Sequence, residues 1–172
     1  MKRLVLLFAA LLVAGCGEKS ASDSAIKKAI EEAVDFESLE DRNGLLYQVN
    51  ESEPYSGWAK WMYVSGQVWA PAQFKDGKRD GLATEWYKNG QKQTETTYKD
   101  GKEDGPYTKY YENGQKEEEK TFKGGKEDGP YTKYYENGQK EFEVTLKDGE
   151  VVSVKFWNSE GEEVATKEEA NQ

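Results

Sequence analysis

The side chains with reactive potential in this chain are carboxylates, lysines, one cysteine and a row of aromatic rings. Asp and Glu number 33 against 24 Lys and Arg, and there is no His. Without His, Ser-His-Asp and Cys-His nucleophilic machinery is excluded, and so are His-ligated metals. The single cysteine, Cys16, excludes an internal disulfide and a cysteine zinc site. Paired carboxylates remain as an acid–base option. Here, however, the acids alternate with Lys and recur in every unit of a repeat, whereas a catalytic pair occurs once. They describe a solvated face, and no catalytic residue is expected. The loop from Asp100 through Lys102 and Asp104 to Gly105 has a trace of calcium-loop spacing. Lys102 stands at the third ligand position and Tyr111 at the twelfth, where a bidentate Glu belongs, so the loop is turn chemistry. No metal and no cofactor are expected. A net charge of -9 argues against a phosphate backbone as partner, so nucleic acid is excluded too.

Cys16 has a different chemistry in view. Lys2 and Arg3 precede an unbroken apolar run over 4–14, which is too short to span a bilayer but fits a secretory signal. The run ends in Val13-Ala14-Gly15-Cys16, which resembles the lipobox of bacterial lipoproteins. That resemblance implies cleavage before Cys16, diacylglyceryl modification of its thiol, and a membrane contact made through the lipid. Several acyl chains on one residue give stable anchoring. Gly17 follows where an Asp would imply retention at the inner membrane, which points to the outer membrane of a diderm cell. The expected location is therefore extracytoplasmic and lipid-anchored. Loss of the signal removes two positive charges and no acid, so the body is repelled by an anionic membrane surface.

The elements that must position the remaining groups follow from periodicity. Residues 16–23 read as a lipidated tether. Ser24 can cap a helix to about Val34, with Ile26, Ala29, Ile30, Ala33 and Val34 on one face; residues 24–42 form a helix and cap. Beyond it, glycines recur every 24 residues: Gly57, Gly81, Gly105 and Gly129; Gly66, Gly90, Gly114 and Gly138; Gly77, Gly101, Gly125 and Gly149. The string GPYTKYYENGQ occurs twice, at 105–115 and 129–139. Four units result, at 57–80, 81–104, 105–128 and 129–152, with a degenerate half-unit at 153–161 and an acidic tail at 162–172.

Each unit encodes a β-hairpin. Asn89-Gly90, Asn113-Gly114 and Asn137-Gly138 predict type I′ turns, and the segments around Asp100-Gly101 and its equivalents read as links between hairpins. The fold class is all-β: an elongated antiparallel ribbon of stacked hairpins with one short N-terminal helix. Leu, Ile, Val and Phe make up under one fifth of the chain, which alone would suggest disorder. The 5 Trp and 11 Tyr supply the missing buried area. Strand alternation places the columns Tyr63, Tyr87, Tyr111, Tyr135 and Phe74, Tyr98, Phe122, Leu146 on the core face, with Lys116 and Lys120 among them. The opposite face carries Met62, Trp86, Tyr110 and Tyr134, surrounded by Thr108, Thr132, Glu95, Glu117, Glu119, Glu141 and Glu143. This second column is the candidate binding site. A row of rings suits a protein strand or a glycan, and a protein partner is expected.

The unit Gly-Pro-Tyr-x-Lys-Tyr-Tyr-Glu-Asn-Gly-Gln-Lys, followed by Lys-x-Gly-Lys-x-Asp-Gly, resembles the MORN repeat in its bacterial variant form. The lead-in Asn43-Gly44-Leu45-Leu46-Tyr47 with Pro54-Tyr55-Ser56-Gly57 resembles the opening of YwqK-type, antitoxin-like MORN proteins. The resemblance covers about 36–161, within a repeat domain at 43–161. It implies an elongated β ribbon and protein or lipid contacts without catalysis, hence an envelope-anchored interaction or scaffold module. The alternative it implies is an antitoxin or immunity protein neutralising a cognate toxin.

Overall fold

The computed structural model describes residues 27–147 and 150–170. Residues 27–31 are helical. Strand β1 (Val34–Asp35), a 3-10 turn (Phe36–Ser38) and a hairpin of β2 (Leu39–Arg42) and β3 (Leu45–Gln48) follow. The repeat region then runs β4 (Gly57–Met62), β5 (Val68–Lys75), β6 (Lys78–Trp86), β7 (Lys92–Lys99), β8 (Lys102–Tyr110) and β9 (Lys116–Lys123). It continues through β10 (Lys126–Glu127), β11 (Gly129–Tyr134), β12 (Lys140–Lys147) and β13 (Glu150–Trp157), and ends in β14 (Glu163–Val164) and a helical turn, Lys167–Ala170. The chain is all-β, as expected. From β4 onward each strand pairs antiparallel with its sequence neighbour, except that β9 receives both β10 and β11. Among the described residues only β1 is parallel, against β4. The β2–β3 hairpin is a sheet of its own.

Two kinds of turn alternate, and their chemistry differs from the expectation. The type I′ conformation, with positive φ at both central residues, lies at Asp76-Gly77, Asp100-Gly101 and Gly124-Gly125, where Lys75 pairs with Lys78, Lys99 with Lys102 and Lys123 with Lys126. The segments expected to be links are thus the tightest hairpins of the sheet. At Asn89-Gly90, Asn113-Gly114 and Asn137-Gly138 only the glycine has positive φ. Gly90 N–H donates to the Tyr87 carbonyl at 2.9 Å and Tyr87 N–H to the Gln91 carbonyl at 2.9 Å, a three-residue loop with the glycine last. Asn is selected there for its side chain. Asn89 Oδ1 accepts from Gln91 N–H at 2.9 Å, while Nδ2 donates to the Glu112 carbonyl of the next unit at 3.1 Å.

That inter-unit bond has a companion. The hydroxyl of Tyr63 donates to the Trp86 carbonyl at 2.9 Å, Tyr87 to Tyr110 at 2.8 Å, Tyr111 to Tyr134 at 2.7 Å and Tyr135 to Trp157 at 3.0 Å. Burial raises the pKa of Tyr87, Tyr111 and Tyr135 first of all, so these phenols stay protonated and donating. The glycine turns dock in the opposite sense, onto the preceding unit: Gly101 N–H donates to the Arg79 carbonyl and Gly125 N–H to the Glu103 carbonyl, both at 2.8 Å.

The core is concentrated at the N-terminal end instead of running evenly along the ribbon. Ala59, Ala72 and Phe74 are buried, with Phe36, Leu39, Leu46, Tyr55 and Trp61 packed on them. Phe36 stacks on Trp61 with centroids 4.0 Å apart. The small side chains of β4 and β5 let the β2–β3 hairpin approach the sheet. Gly77 completes the fit: its φ is +80, and a Cβ there would meet Leu46 N at 2.9 Å. Pro71 is fully buried in β5, and the β5–β6 ladder begins beyond it at Ala72↔Ala83, because proline has no N–H to contribute.

Three further expectations change. Residues 27–31 are helical, but Val34 belongs to β1, paired with Ala59, so the helix stops short of it. Ser24 and Ile26 lie outside the described residues. A register shift between Lys109 and Tyr110 inserts one extra residue before the turn, which moves Glu117 to the side of Lys109 (3.0 Å) and Lys116 to the side of Glu119. The same shift at Lys133/Tyr134 brings Glu141 to Lys133 at 3.1 Å. Lys116, Glu117 and Glu141 therefore lie on the faces opposite to those read from strict alternation. Finally, the acidic segment from 162 contributes β14 and the Lys167–Ala170 turn, whose Ala170 carbonyl accepts from the Tyr135 hydroxyl at 3.0 Å.

If the tyrosine ladder joins the units, Tyr111→Phe, which keeps the ring and loses the bond to the Tyr134 carbonyl, should cost about 1 kcal/mol in chemical denaturation. Tyr47→Phe, outside the ladder, should cost measurably less in the same assay.

Candidate functional site

Met62, Trp86, Tyr110 and Tyr134 each end a strand: β4, β6, β8 and β11 in turn. Each sits at the register shift that precedes a glycine turn. Equal hairpins carry equal residues to the same height, so the four stand in one row on one face. Thr84 and Thr132 are buried on the same face beside Trp86 and Tyr134. A fifth ring, Trp157, takes the equivalent place at the end of β13, with Lys140 Nζ 5.2 Å from its ring centroid. Strict 24-residue spacing passes over it because the last unit is one residue short: Asn158 and Gly161 repeat the turn bonds of Tyr135 and Gly138 at a spacing of 23. The matching turn pattern was the signal available in the sequence.

The row divides by chemistry. The Tyr110 hydroxyl donates to Glu95 of the preceding unit at 3.0 Å, and the Tyr134 hydroxyl donates to Glu119. Each of these acids also holds a lysine, Lys92 at 2.7 Å from Glu95 and Lys116 beside Glu119. Lys140 and Glu143 repeat the pair at 2.6 Å. The result is a Lys–Glu–Tyr strut between consecutive units. Burial, reinforced by Glu95, pushes Tyr110 up to about 12, and burial with the Glu119 hydrogen bond pushes Tyr134 up to about 12. Burial alone would raise the Glu119 carboxyl. The hydrogen bonds from Lys116 and Tyr134 outweigh it and hold that carboxyl below its ordinary value.

Trp86 is built otherwise. One unit before Glu95 the chain has Pro71, and an indole has no hydroxyl to offer, so no such strut forms. Its ring instead lines a cleft of about 440 Å³ together with Thr84, Lys92 and Glu95 on the sheet and Lys27, Ile30 and Glu31 on the helical segment. Lys60 Nζ donates to the Ile30 carbonyl at 3.3 Å and so ties that segment to β4. Met62 is 45% exposed. The row thus combines two tied tyrosines with an accessible end formed by Met62 and Trp86. Cys16 lies outside the described residues.

This architecture defines a repeat protein of stacked antiparallel hairpins. The sequence profile of the MORN repeat variant family matches residues 79–100, 103–123 and 127–148. The first two matches span β6–β7 and β8–β9, and the third opens in β10 and runs to the end of β12. Over these residues the chain is similar to the MORN repeat variant, a type of repeat that suggests interaction with proteins or membranes. A search of curated proteins finds no match to it.

The raised tyrosines make a signed prediction. A phenol whose folded pKa exceeds its ordinary value of 10.0 contributes stability that is complete below pH 10 and is lost as pH climbs toward about 12. Glu119, lowered in the fold, contributes above its ordinary value of 4.5 and is lost as pH falls through its folded value. Tyr134→Phe should lower stability near neutrality by about 1 kcal/mol and flatten the alkaline loss between pH 10 and 12, followed by denaturant titration at each pH.

Proposed function

We propose that this protein is a non-catalytic interaction module, held at the cell envelope by lipid on Cys16 and binding a protein partner through the end of the aromatic row at Met62 and Trp86. The observation that carries the reading is the asymmetry of that row. Tyr110 and Tyr134 are engaged in struts, whereas Trp86 borders a cleft between the sheet and the helical segment. A large ring with little conformational freedom is the side chain that most often anchors a protein contact. The carboxylates favour the same reading: those of Glu95, Glu119, Glu117 and Glu141 are each paired with a lysine in a repeating pattern. A repeated ion pair is suited to solubility and register, and poorly suited to a unique acid–base step. The lipid anchor rests on the apolar run and the Val13-Ala14-Gly15-Cys16 sequence.

A second reading, an immunity or antitoxin protein, is favoured by the lead-in. Its Asn43-Gly44 turn and Tyr55 belong to the cap that closes the N-terminal core, so the resembling residues form a defined structural unit. The two readings share a surface and differ in partner. A toxic neighbouring reading frame rescued by co-expression would select the second.

The test is capture from gently solubilised envelopes. The intact protein should partition with membranes and retain one stoichiometric partner, and Cys16→Ser should move it to the soluble fraction. Trp86→Ala should reduce capture at least about tenfold while shifting the melting temperature little, because a central aromatic contact is worth over about 1 kcal/mol in binding. Tyr110→Ala should lower the melting temperature. Capture indifferent to Trp86 would overturn the assignment of the surface.

A further inference from the structure

We propose that the outer edge of β13 is a self-association site, at which two copies of this chain join antiparallel about a two-fold axis. On its inner side β13 pairs with β12 along its whole length. On its outer side only Phe156 and Trp157 are paired, with β14. Among the described residues, no strand lies against that side of Glu150, Val151, Val152, Ser153, Val154 and Lys155. Val151 and Val152 are each 62% exposed and Val154 is 43% exposed.

The repeat shows that this stretch departs from its own pattern. The equivalent segments of the inner units read Glu103-Asp104-Gly105-Pro106 and Glu127-Asp128-Gly129-Pro130. Their acids have work within the stack: Asp80 accepts from Asp100 N–H at 3.2 Å and Asp104 from Gly124 N–H at 3.0 Å, so each receives the turn of the next hairpin. Among the described residues no further hairpin follows the last unit, and Asp-Gly-Pro is replaced there by Val-Ser. Proline, glycine and charge are what natural edges use to avoid pairing. Their replacement by β-branched residues makes this edge competent to add a strand.

The occupant follows from the charges and the register. Glu150 and Lys155 bracket the valines. Leu146 faces Val151 and Val144 faces Val154, with one register shift between these pairs, so Val151 and Val154 share a face of the sheet. Lys147 faces Glu150 and Glu143 faces Lys155, which puts Glu150 and Lys155 together on the other face. An antiparallel second copy then sets Val151 opposite Val154 and Glu150 opposite Lys155, and the two-fold axis makes each pair twice. Among the described residues Lys155 forms an ion pair with Glu163 at 3.6 Å, with both side chains more than half exposed, so it remains able to reach across. The assembly closes at two. At the opposite end, β1 occupies β4 at Ala59 and Lys60, and the edges are therefore unlike.

Sedimentation equilibrium of the full-length chain carrying Cys16→Ser tests this without the anchor. A monomer–dimer equilibrium is expected. Glu150→Lys alone should weaken it about tenfold, since two cross-strand pairs turn repulsive, and Glu150→Lys with Lys155→Glu should restore it to within about threefold. Val151→Lys should also weaken it, with thermal unfolding of the monomer unchanged. A chain monomeric to millimolar concentration, a dimer indifferent to the charge exchange, or a strand from another protein occupying the edge would each overturn the proposal.

Discussion

Everything in this sheet depends on how one hairpin is fixed to the next when there is little apolar core to do it. A hairpin alone is marginal in water, and a sheet of hairpins with a thin core can slip in register or fray. The repeat answers with side chains that donate to the backbone of the following unit. The tyrosine hydroxyl and the Asn Nδ2 group reach carbonyls close together on the next turn: Tyr87 donates to the Tyr110 carbonyl and Asn89 to that of Glu112. These bonds specify register, because a slip of one residue would offer each donor the wrong carbonyl. They also satisfy strand-end carbonyls that antiparallel pairing leaves over. The interaction needs only a Tyr and an Asn at fixed places, so the rest of each unit is free to vary.

That freedom explains the change of character along one face. The positions held by Ala59 and Ala72 in the first unit are held by Tyr107 and Lys120 two units later. Where a cap arrives from outside, as the β2–β3 hairpin does, the sheet offers small residues and the core is dry. Where none arrives, the face carries ion pairs such as Lys109–Glu117 and Lys133–Glu141, with aromatic contacts such as Tyr107–Phe122 beneath. Lys120 shows how the two are combined: its ammonium lies 4.5 Å from the Tyr131 ring centroid and bridges Glu118 and Glu127. The aliphatic stem and the rings exclude water while the charged ends remain wet.

Period, hairpin content and the assignment of the main columns were legible in the sequence because they depend on local rules repeated several times over. The row Met62, Trp86, Tyr110, Tyr134 could be read from alternation because the strands that carry it, β4, β6, β8 and β11, are regular up to their last residue. What could not be read was set by tertiary detail. The register shift before each turn reverses the face of Lys116 and Glu117, and nothing in the sequence of a single hairpin announces it. The two turn types were exchanged because Asn-Gly satisfies both. Only the inter-unit role of the Asn side chain separates them, and that role is invisible until the next unit is in place. The concentrated core was hidden by its composition: alanines at 59 and 72 look unremarkable until Phe36 and Leu46 are seen against them. Trp157 was passed over because one residue is missing from the last unit.

The same logic separates what holds the ribbon together from what remains available for other molecules. A ring tied through its hydroxyl to the preceding unit is committed, since moving it breaks a strut that also orders a lysine and a glutamate. Tyr110 and Tyr134 are of this kind. Trp86 has the position without the tie, because Pro71 stands where the acid would be and leaves no carboxylate to receive a donor. Two sequence changes that each weaken the stack at one point thus coincide at the unit already supported by the N-terminal cap. The loss is borne where the core is best packed, and the surface released there is a large ring beside a cleft. The interaction surface proposed at Met62 and Trp86 therefore rests on the place where the stacking rule is relaxed next to a compensating cap, a departure from the repeat and not a feature of it.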